Sequence, residues 1–266
     1  MSESLARPSI AQRFDLTGRT AIITGVGPGI GAHVAAAFAD AGANVVCSAR
    51  SDQLIEQVAS EIREGGGKAL AVRCDVLEAD SREALVASAR QAYGPIHIVF
   101  NNATAGPIAP DLGIWGNTPE VWHAALTANT VAIFHLAQLV YPDMEQHGRG
   151  SIITVGSSGG FSVLGNSVAY GVGKAGTVML TRYLAKALAP AARVNMISVG
   201  AITPHGVEHA ALKTYSALDL TRRNAIQRFG RAEEVVGAAL LLASDASSYT
   251  TGSTIFVEGG RIGTIG

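Results

Sequence analysis

The stretch Thr20-Ala21-Ile22-Ile23-Thr24-Gly25-Val26-Gly27-Pro28-Gly29-Ile30-Gly31 decides how the rest of this 266-residue chain is read. Five residues of strand character run into a glycine cluster, and a stretch of helical period opens at Ile30. In that position glycines let the backbone turn tightly and approach a ligand. The free N–H groups and positive dipole end of the helix favour a diphosphate. A glycine cluster alone is also an ordinary strand-to-helix turn; its place in a βαβ unit is what points to dinucleotide binding.

Working outward, β-branched runs at 20–24, 44–49, 69–73, 96–100, 151–155, 193–197 and 254–257 alternate with helical stretches near 30–41, 52–64, 79–93, 119–146, 168–189 and 232–244. Such alternation predicts a doubly wound, Rossmann-type α/β fold, a three-layer sandwich around a seven-stranded parallel sheet. The run Gly65 to Gly67 reads as a helix stop, and no repeat or low-complexity linker divides the chain. One domain is expected over 14–266, with a substrate-loop segment near 200–229, after an N-terminal extension at 1–13 that is free to move.

Composition narrows the function classes. With 48% hydrophobic and 15% charged residues the chain has the makings of one soluble domain with a large core. A net charge of -1 without a long basic run offers no footprint for nucleic acid. Met1 to Arg13 has no apolar signal-peptide core, and the apolar run 124–141 is broken by Asn129, His135 and Gln138, so neither a signal peptide nor a membrane span is read. Cys47 and Cys74 lie in strand-like runs and read as buried structural thiols, which fits a reducing, cytoplasmic setting.

At the end of the second strand a carboxylate would bind the ribose 2'-hydroxyl of NAD, and an arginine the 2'-phosphate of NADP. Here stand Ala49 and Arg50, which favours NADP(H), with NAD(H) as the runner-up. Asp52 could reverse that choice, but after Ser51 it reads as part of the cap of the next helix.

Ser157 stands thirteen residues before Tyr170, and Tyr170 four before Lys174. On a helix the last two share one face, with the ammonium near the phenol. Free tyrosine has a pKa of about 10, and a neighbouring ammonium together with an oxidised nicotinamide is expected to lower it by about two to three units in a partly desolvated site. Alone, the pair reads as a surface Tyr and Lys; after a glycine-loop βαβ unit it reads as chemistry.

These residues resemble the short-chain dehydrogenase/reductase family, from about Phe14 to Gly260. Thr24 to Gly31 looks like its TGxxxGxG loop, Asp75-Val76 like its adenine contact, and Asn101-Asn102-Ala103 like its NNAG segment. Ser157, Tyr170 and Lys174 look like its catalytic core, and Asn129 falls where the family has its fourth catalytic residue. The resemblance implies an NADP-dependent oxidoreductase. It would exchange hydride with a carbonyl while Tyr170 moves the proton, Lys174 tunes it, Ser157 polarises the carbonyl and Asn129 holds a water. Implied cofactor contacts are Gly25, Gly29, Ile30, Gly31, Arg50, Asp75, Val76, Asn102, Ala103, Tyr170, Lys174, Gly200 and Ile202. Members are commonly dimers or tetramers, which suits Gly171, Gly173 and Gly176, since they would allow close approach of another helix, though the same glycines could simply face the sheet.

Thr104 stands in place of the last glycine of NNAG, and Val199 in place of the proline of a Pro-Gly pair. Both put loop geometry in question without touching the catalytic core. The turn at 189–193 also reads one residue short. The loops after strands four to six supply apolar side chains, among them Trp115, Phe161, Leu164 and Val207, so a hydrophobic ketone or alcohol is expected there, bound also by Ser157 and Tyr170. His205 and His209 lack a third ligand, so no metal is expected, and His97, His123 and His135 read as structural or helix-surface residues. Two other readings stay open: a 3-oxoacyl thioester (acyl carrier) reductase, hinted at by Arg222, and a non-catalytic NADP(H)-binding sensor or scaffold.

Overall fold

The structure, a computed structural model, describes residues 8–105, 114–163, 167–203 and 224–261. Strands β1 (Thr20–Thr24), β2 (Asn44–Ala49), β3 (Lys68–Arg73), β4 (Ile96–Asn101), β5 (Gly150–Ser157), β6 (Ala192–Val199) and β9 (Thr254–Val257) form one parallel sheet in the order 3-2-1-4-5-6-9. A two-residue ladder of β7 (Ile202–Thr203) and β8 (Gly230–Arg231) stands apart from it. The expected seven-stranded doubly wound architecture is present, and three strands have the bounds read from the sequence.

Helices cover both faces because central strands such as β1 and β5 are buried throughout and need apolar cover on each side. One core joins Val34 and Phe38 of α2 (Ile30–Asp40), Ile55 of α3 (Asp52–Glu64) and Leu242 of α8 (Val236–Ala243) to Ile23 and Phe100 of the sheet. On the other face Leu85 of α4 (Ala79–Tyr93), Leu136 and Val140 of α6 (Ala132–His147) and Leu184 of α7 (Val168–Ala187) pack on Ile22, Val99 and Ile152. Within the N-terminal extension Ser9 caps a short exposed helix, α1 (Ile10–Phe14).

Two departures from the expected elements have local causes. The helix expected at 119–146 is α5 (Pro119–Leu126), one π-helical turn at Thr127–Val131, and α6. Asn129 Nδ2 donates to the Ala125 carbonyl at 2.8 Å and Thr130 Oγ1 to that of Leu126 at 2.5 Å. Side chains thereby engage carbonyls that the i−4 ladder would use, and the turn widens. Meanwhile β6 runs through Val199, which stands in register with Ser157 and Val257. Valine keeps the N–H that proline lacks, so the substitution prolongs a strand and does not loosen the loop.

The three glycines of α7 are used within the chain. A β-carbon on Gly173 would lie 3.2 Å from Asn129 Nδ2, one on Gly176 2.8 Å from Thr130, and one on Gly171 3.3 Å from the Gly159 carbonyl. They seat α7 against its own neighbours, and for Gly173 and Gly176 the close approach of another helix that was expected occurs within the chain, against the helical turn of Asn129 and Thr130, and not against the sheet.

Candidate active site

The strand order reverses between β1 and β4, and a crevice opens at the carboxyl ends of strands at such a switch point. A cavity of about 440 Å³ lies there, lined by residues 25–31, Ala49, Arg50, residues 74–77, residues 102–105 and Ile202. Of the expected cofactor contacts it gathers Gly25, Gly29, Ile30, Gly31, Arg50, Asp75, Val76, Asn102, Ala103 and Ile202. Gly200 lines the adjoining cavity, where its N–H donates to the Val257 carbonyl.

The glycines divide the work. Gly25 has φ +70°, and a β-carbon there would sit 2.7 Å from Ala103 N; one on Gly31 would sit 2.5 Å from the Gly25 carbonyl oxygen. These two permit the turn itself. Around Gly27 and Gly29 the β-carbon position meets nothing within 4 Å, so that backbone borders open space at the N-terminus of α2. That space, the helix end and the Arg50 guanidinium fit a dinucleotide diphosphate and its flanking charge. Asn102 helps hold the loop: its Nδ2 donates to the Gly25 carbonyl at 2.8 Å, while the Asn102 and Ala103 N–H groups donate to Thr24 Oγ1 at 3.2 Å.

At the tip of β2, Ser51 caps α3 by accepting from Leu54 N, which leaves Asp52 in the first helical turn. Its carboxylate lies 3.8 Å from Arg73, whose Nε donates to the Arg50 carbonyl. Asp52 thus belongs to the helix start, as its sequence position suggests.

Ser157 ends β5, and α7 carries Tyr170 and Lys174 one turn apart. All three are buried, as is Asn129. Burial raises the Tyr170 pKa above its usual value, with the Ser157 hydroxyl as a hydrogen-bond partner pulling the other way. Lys174 Nζ donates to the Val155 carbonyl at 2.8 Å and lies 5.7 Å from the tyrosine ring centroid. Desolvation holds its pKa down to about 8. In the protein alone burial dominates the Tyr170 shift, whereas the expected depression is that of a site holding an oxidised nicotinamide as well as Lys174. The ammonium is engaged by a backbone carbonyl, and loss of hydration is the larger cause of the tyrosine's shift.

Asn129 is fixed on every side. Its Oδ1 accepts from Thr104 Oγ1 at 3.3 Å, and its carbonyl from Thr177 Oγ1 at 2.8 Å. Thr104, the departure from NNAG, turns its hydroxyl to the candidate catalytic asparagine. Thr177 went unnoticed in the sequence, although it stands three residues past Lys174 on the same helix and its spacing was the available signal.

The apolar substrate residues are only partly assembled. Trp115 is 93% exposed, in a turn tied to the start of α7 by the Ala169 N–H donating to Asn117 Oδ1. Phe161 packs edge-on against Phe256, ring centroids 5.1 Å apart. Leu164, Val207, His205, His209 and Arg222 lie outside the described residues. Among the described residues no group of three His, Cys, Asp or Glu side chains could hold a metal.

The sheet, its switch-point cavity and the buried Ser-Tyr-Lys-Asn cluster define a Rossmann-type α/β protein with an oxidoreductase-like site. The chain belongs to the short-chain dehydrogenase/reductase family. A family model described as enoyl-(acyl carrier protein) reductase matches residues 25–261. The chain is 34% identical to the 7alpha-hydroxysteroid dehydrogenase of Escherichia coli K12, over 93% of this chain and 95% of that protein. Its structure is similar to that of a gluconate 5-dehydrogenase from Burkholderia cenocepacia in complex with NADP and tartrate, at 30% identity and TM-score 0.88, covering 97% and 100% of the two chains. It is also similar to a 7alpha-hydroxysteroid dehydrogenase complexed with NADH and 7-oxo glycochenodeoxycholic acid, at 35% identity and TM-score 0.86, covering 95% and 98%.

Proposed function

We propose that the chain transfers a hydride between NADP(H) and a hydrophobic carbonyl or secondary alcohol, with Tyr170 as the acid–base group. The observation that carries this reading is the buried, hydrogen-bonded Tyr170 hydroxyl. Protonated at neutral pH, as a tyrosine ordinarily is, it stands beside Ser157 and one turn from Lys174, placed to give a proton to a carbonyl oxygen. Burial raises its pKa in the protein alone, and Lys174 with a bound oxidised nicotinamide would have to lower it for the reverse step. The cofactor, when bound, supplies or accepts the hydride. Gly27, Gly29 and the start of α2 would hold its diphosphate, Arg50 its 2'-phosphate, and Asp75 and Val76 its adenine. Ser157 orients and polarises the substrate carbonyl, and Tyr170 passes it a proton. Lys174 anchors the proton path to Val155, and the Asn129 carbonyl, with a second lone pair beyond the one Thr177 uses, holds a water on that path.

Relatives with bound NADP and with NADH both exist, so the preference for NADP(H) rests on Arg50 and on the engagement of Asp52 by its own helix and Arg73. The 3-oxoacyl thioester reductase remains a second reading; the description of the matching family model shares with it the acyl carrier but names an enoyl, not a 3-oxoacyl, substrate. A panel of free hydrophobic ketones and acyl thioesters, followed by NADPH consumption, tests both. Turnover of the ketones supports the first, turnover of thioesters alone the second, and tight NADPH binding with no turnover of either favours a sensor or scaffold.

The same reading includes a homo-oligomer, a dimer or homotetramer. Leu126, Val131 and Phe134 on the α5–α6 side and Val172, Met179 and Tyr183 on α7 are exposed apolar residues that a second copy would cover. Light scattering of the purified protein reads the mass directly. Helix 119–147 is long and apolar enough to cross a membrane, but half of its most apolar window is buried inside the protein. We assign the chain to the cytoplasm. Its free Cys47 and Cys74 are buried, and burial pushes the Cys47 thiol up to about 12.

A further inference from the structure

Arg82 on α4 is 4% exposed. A guanidinium removed from water costs several kcal/mol unless its donors are matched. Its Nη1 donates to the Val76 carbonyl at 2.5 Å, and its Nε to Nδ1 of His135 on α6 at 3.0 Å. His135 therefore presents an unprotonated Nδ1 to the arginine, and its Nε2 lies 3.8 Å from Glu83 Oε1.

Val76 belongs to the turn that forms one wall of the cofactor cavity. The Val76–Leu77 peptide is held at both ends, its carbonyl by Arg82 and its N–H by Asp75 Oδ1 at 3.0 Å. The Asp75 N–H donates in turn to Ser81 Oγ at 3.0 Å, and the Glu78 N–H to the Asp75 carbonyl at 3.1 Å. These contacts fix the turn and the plane of the Asp75 carboxylate. They engage neither the Val76 N–H nor Asp75 Oδ2. One donor beside one acceptor complements the N1 acceptor and N6 amino donor of adenine.

We propose that Arg82, held by His135, is a positioning residue for adenine recognition. It presents the Asp75–Val76 edge to the base without touching it. The proposal rests on the reading of the cavity as a dinucleotide site.

The test compares binding of NADPH with deamino-NADPH, in which hypoxanthine replaces adenine and reverses the hydrogen-bonding edge. Calorimetry on the full chain should show the wild type favouring NADPH by about tenfold, the discrimination a paired base edge provides. In Arg82→Met the ratio of the two dissociation constants should fall to about one, and Arg82→Lys should recover part of it. Arg82→Met leaves the Val76 carbonyl and His135 Nδ1 without their donor and should lower stability, but a merely structural role weakens binding of both dinucleotides alike and leaves the ratio unchanged. If Arg82→Met fails to fold, His135→Leu withdraws the acceptor from Arg82 Nε at a partly exposed position and gives the same readout. A ratio unchanged in the variant, or no preference in the wild type, overturns the proposal. A wild type that binds neither of these nor NADH overturns the dinucleotide reading as well, whereas a discriminating wild type and an equally discriminating variant remove Arg82 alone.

Discussion

Replacing Lys174 by methionine should stop catalysis and leave the fold as stable as before, or more so. The lysine is 4% exposed, and burial moves its pKa from 10.5 down to about 8. At about 1.4 kcal/mol per pH unit, holding that ammonium in the folded protein at pH 7 costs about 3 kcal/mol. Methionine fills similar space without the charge, but it leaves the Val155 carbonyl without its donor, at about 1–3 kcal/mol. The net expectation at pH 7 is a variant between equal in stability and about 2 kcal/mol more stable. The sign can be checked against pH. The folded pKa lies below the unfolded one, so the unfolded state binds more protons between about 8 and 10.5, and wild-type stability gains on the variant as pH rises through that window. Urea denaturation from pH 7 to 10.5 measures both quantities. A variant less stable than the wild type by more than about 1 kcal/mol at pH 7, or a stability difference independent of pH, would refute the reasoning.

Other expectations follow from single contacts. Arg50→Ala should weaken NADPH binding by about tenfold or more, as loss of a charge-assisted phosphate contact implies, and leave NADH binding unchanged by calorimetry; equal losses for both would remove Arg50 from the 2'-phosphate site. Thr104→Val should lower stability by about 1 kcal/mol, since buried Asn129 Oδ1 loses its 3.3 Å donor, and chemical denaturation reads the loss; a neutral substitution would show that contact to be incidental. His97 Nδ1 accepts from the Thr20 N–H at 3.2 Å, and burial, with His147 nearby, lowers its pKa below 6.5. The unfolded state then binds the proton first, so stability should fall as pH drops from 6.5 towards the folded pKa. His97→Gln keeps an acceptor without titrating there, and should flatten that part of the acid limb.

Much of this architecture was legible because it follows from period and punctuation. Buried strands such as β1 and β2 are short apolar runs ended by a turn, and Ser51 marks the start of α3 by its side chain alone. The lining of the switch-point cavity was legible for the same reason, since glycines and the tip of β2 occupy fixed places in a βαβ unit. What the sequence did not disclose depends on contacts between distant segments. The π-turn at Thr127–Val131 arises from side chains turning back on carbonyls, which no periodicity encodes. The glycines of α7 read as a possible subunit contact until Asn129, Thr130 and Gly159 are seen against them. Arg82 and His135 are 53 positions apart, and no local pattern in the sequence marks that arginine as buried. The Tyr170–Lys174 spacing was legible, but not that burial in the protein alone raises the tyrosine's pKa and lowers the lysine's.

The central claim is that the buried Tyr170 hydroxyl carries the proton in a hydride transfer. Tyr170→Phe removes that oxygen and keeps the ring, so the most direct measurement pairs NADPH binding with turnover of whichever ketone the wild type reduces best. The account predicts NADPH affinity within about twofold of wild type and a fall in kcat of at least about a hundredfold. Near-normal turnover in the variant would contradict it.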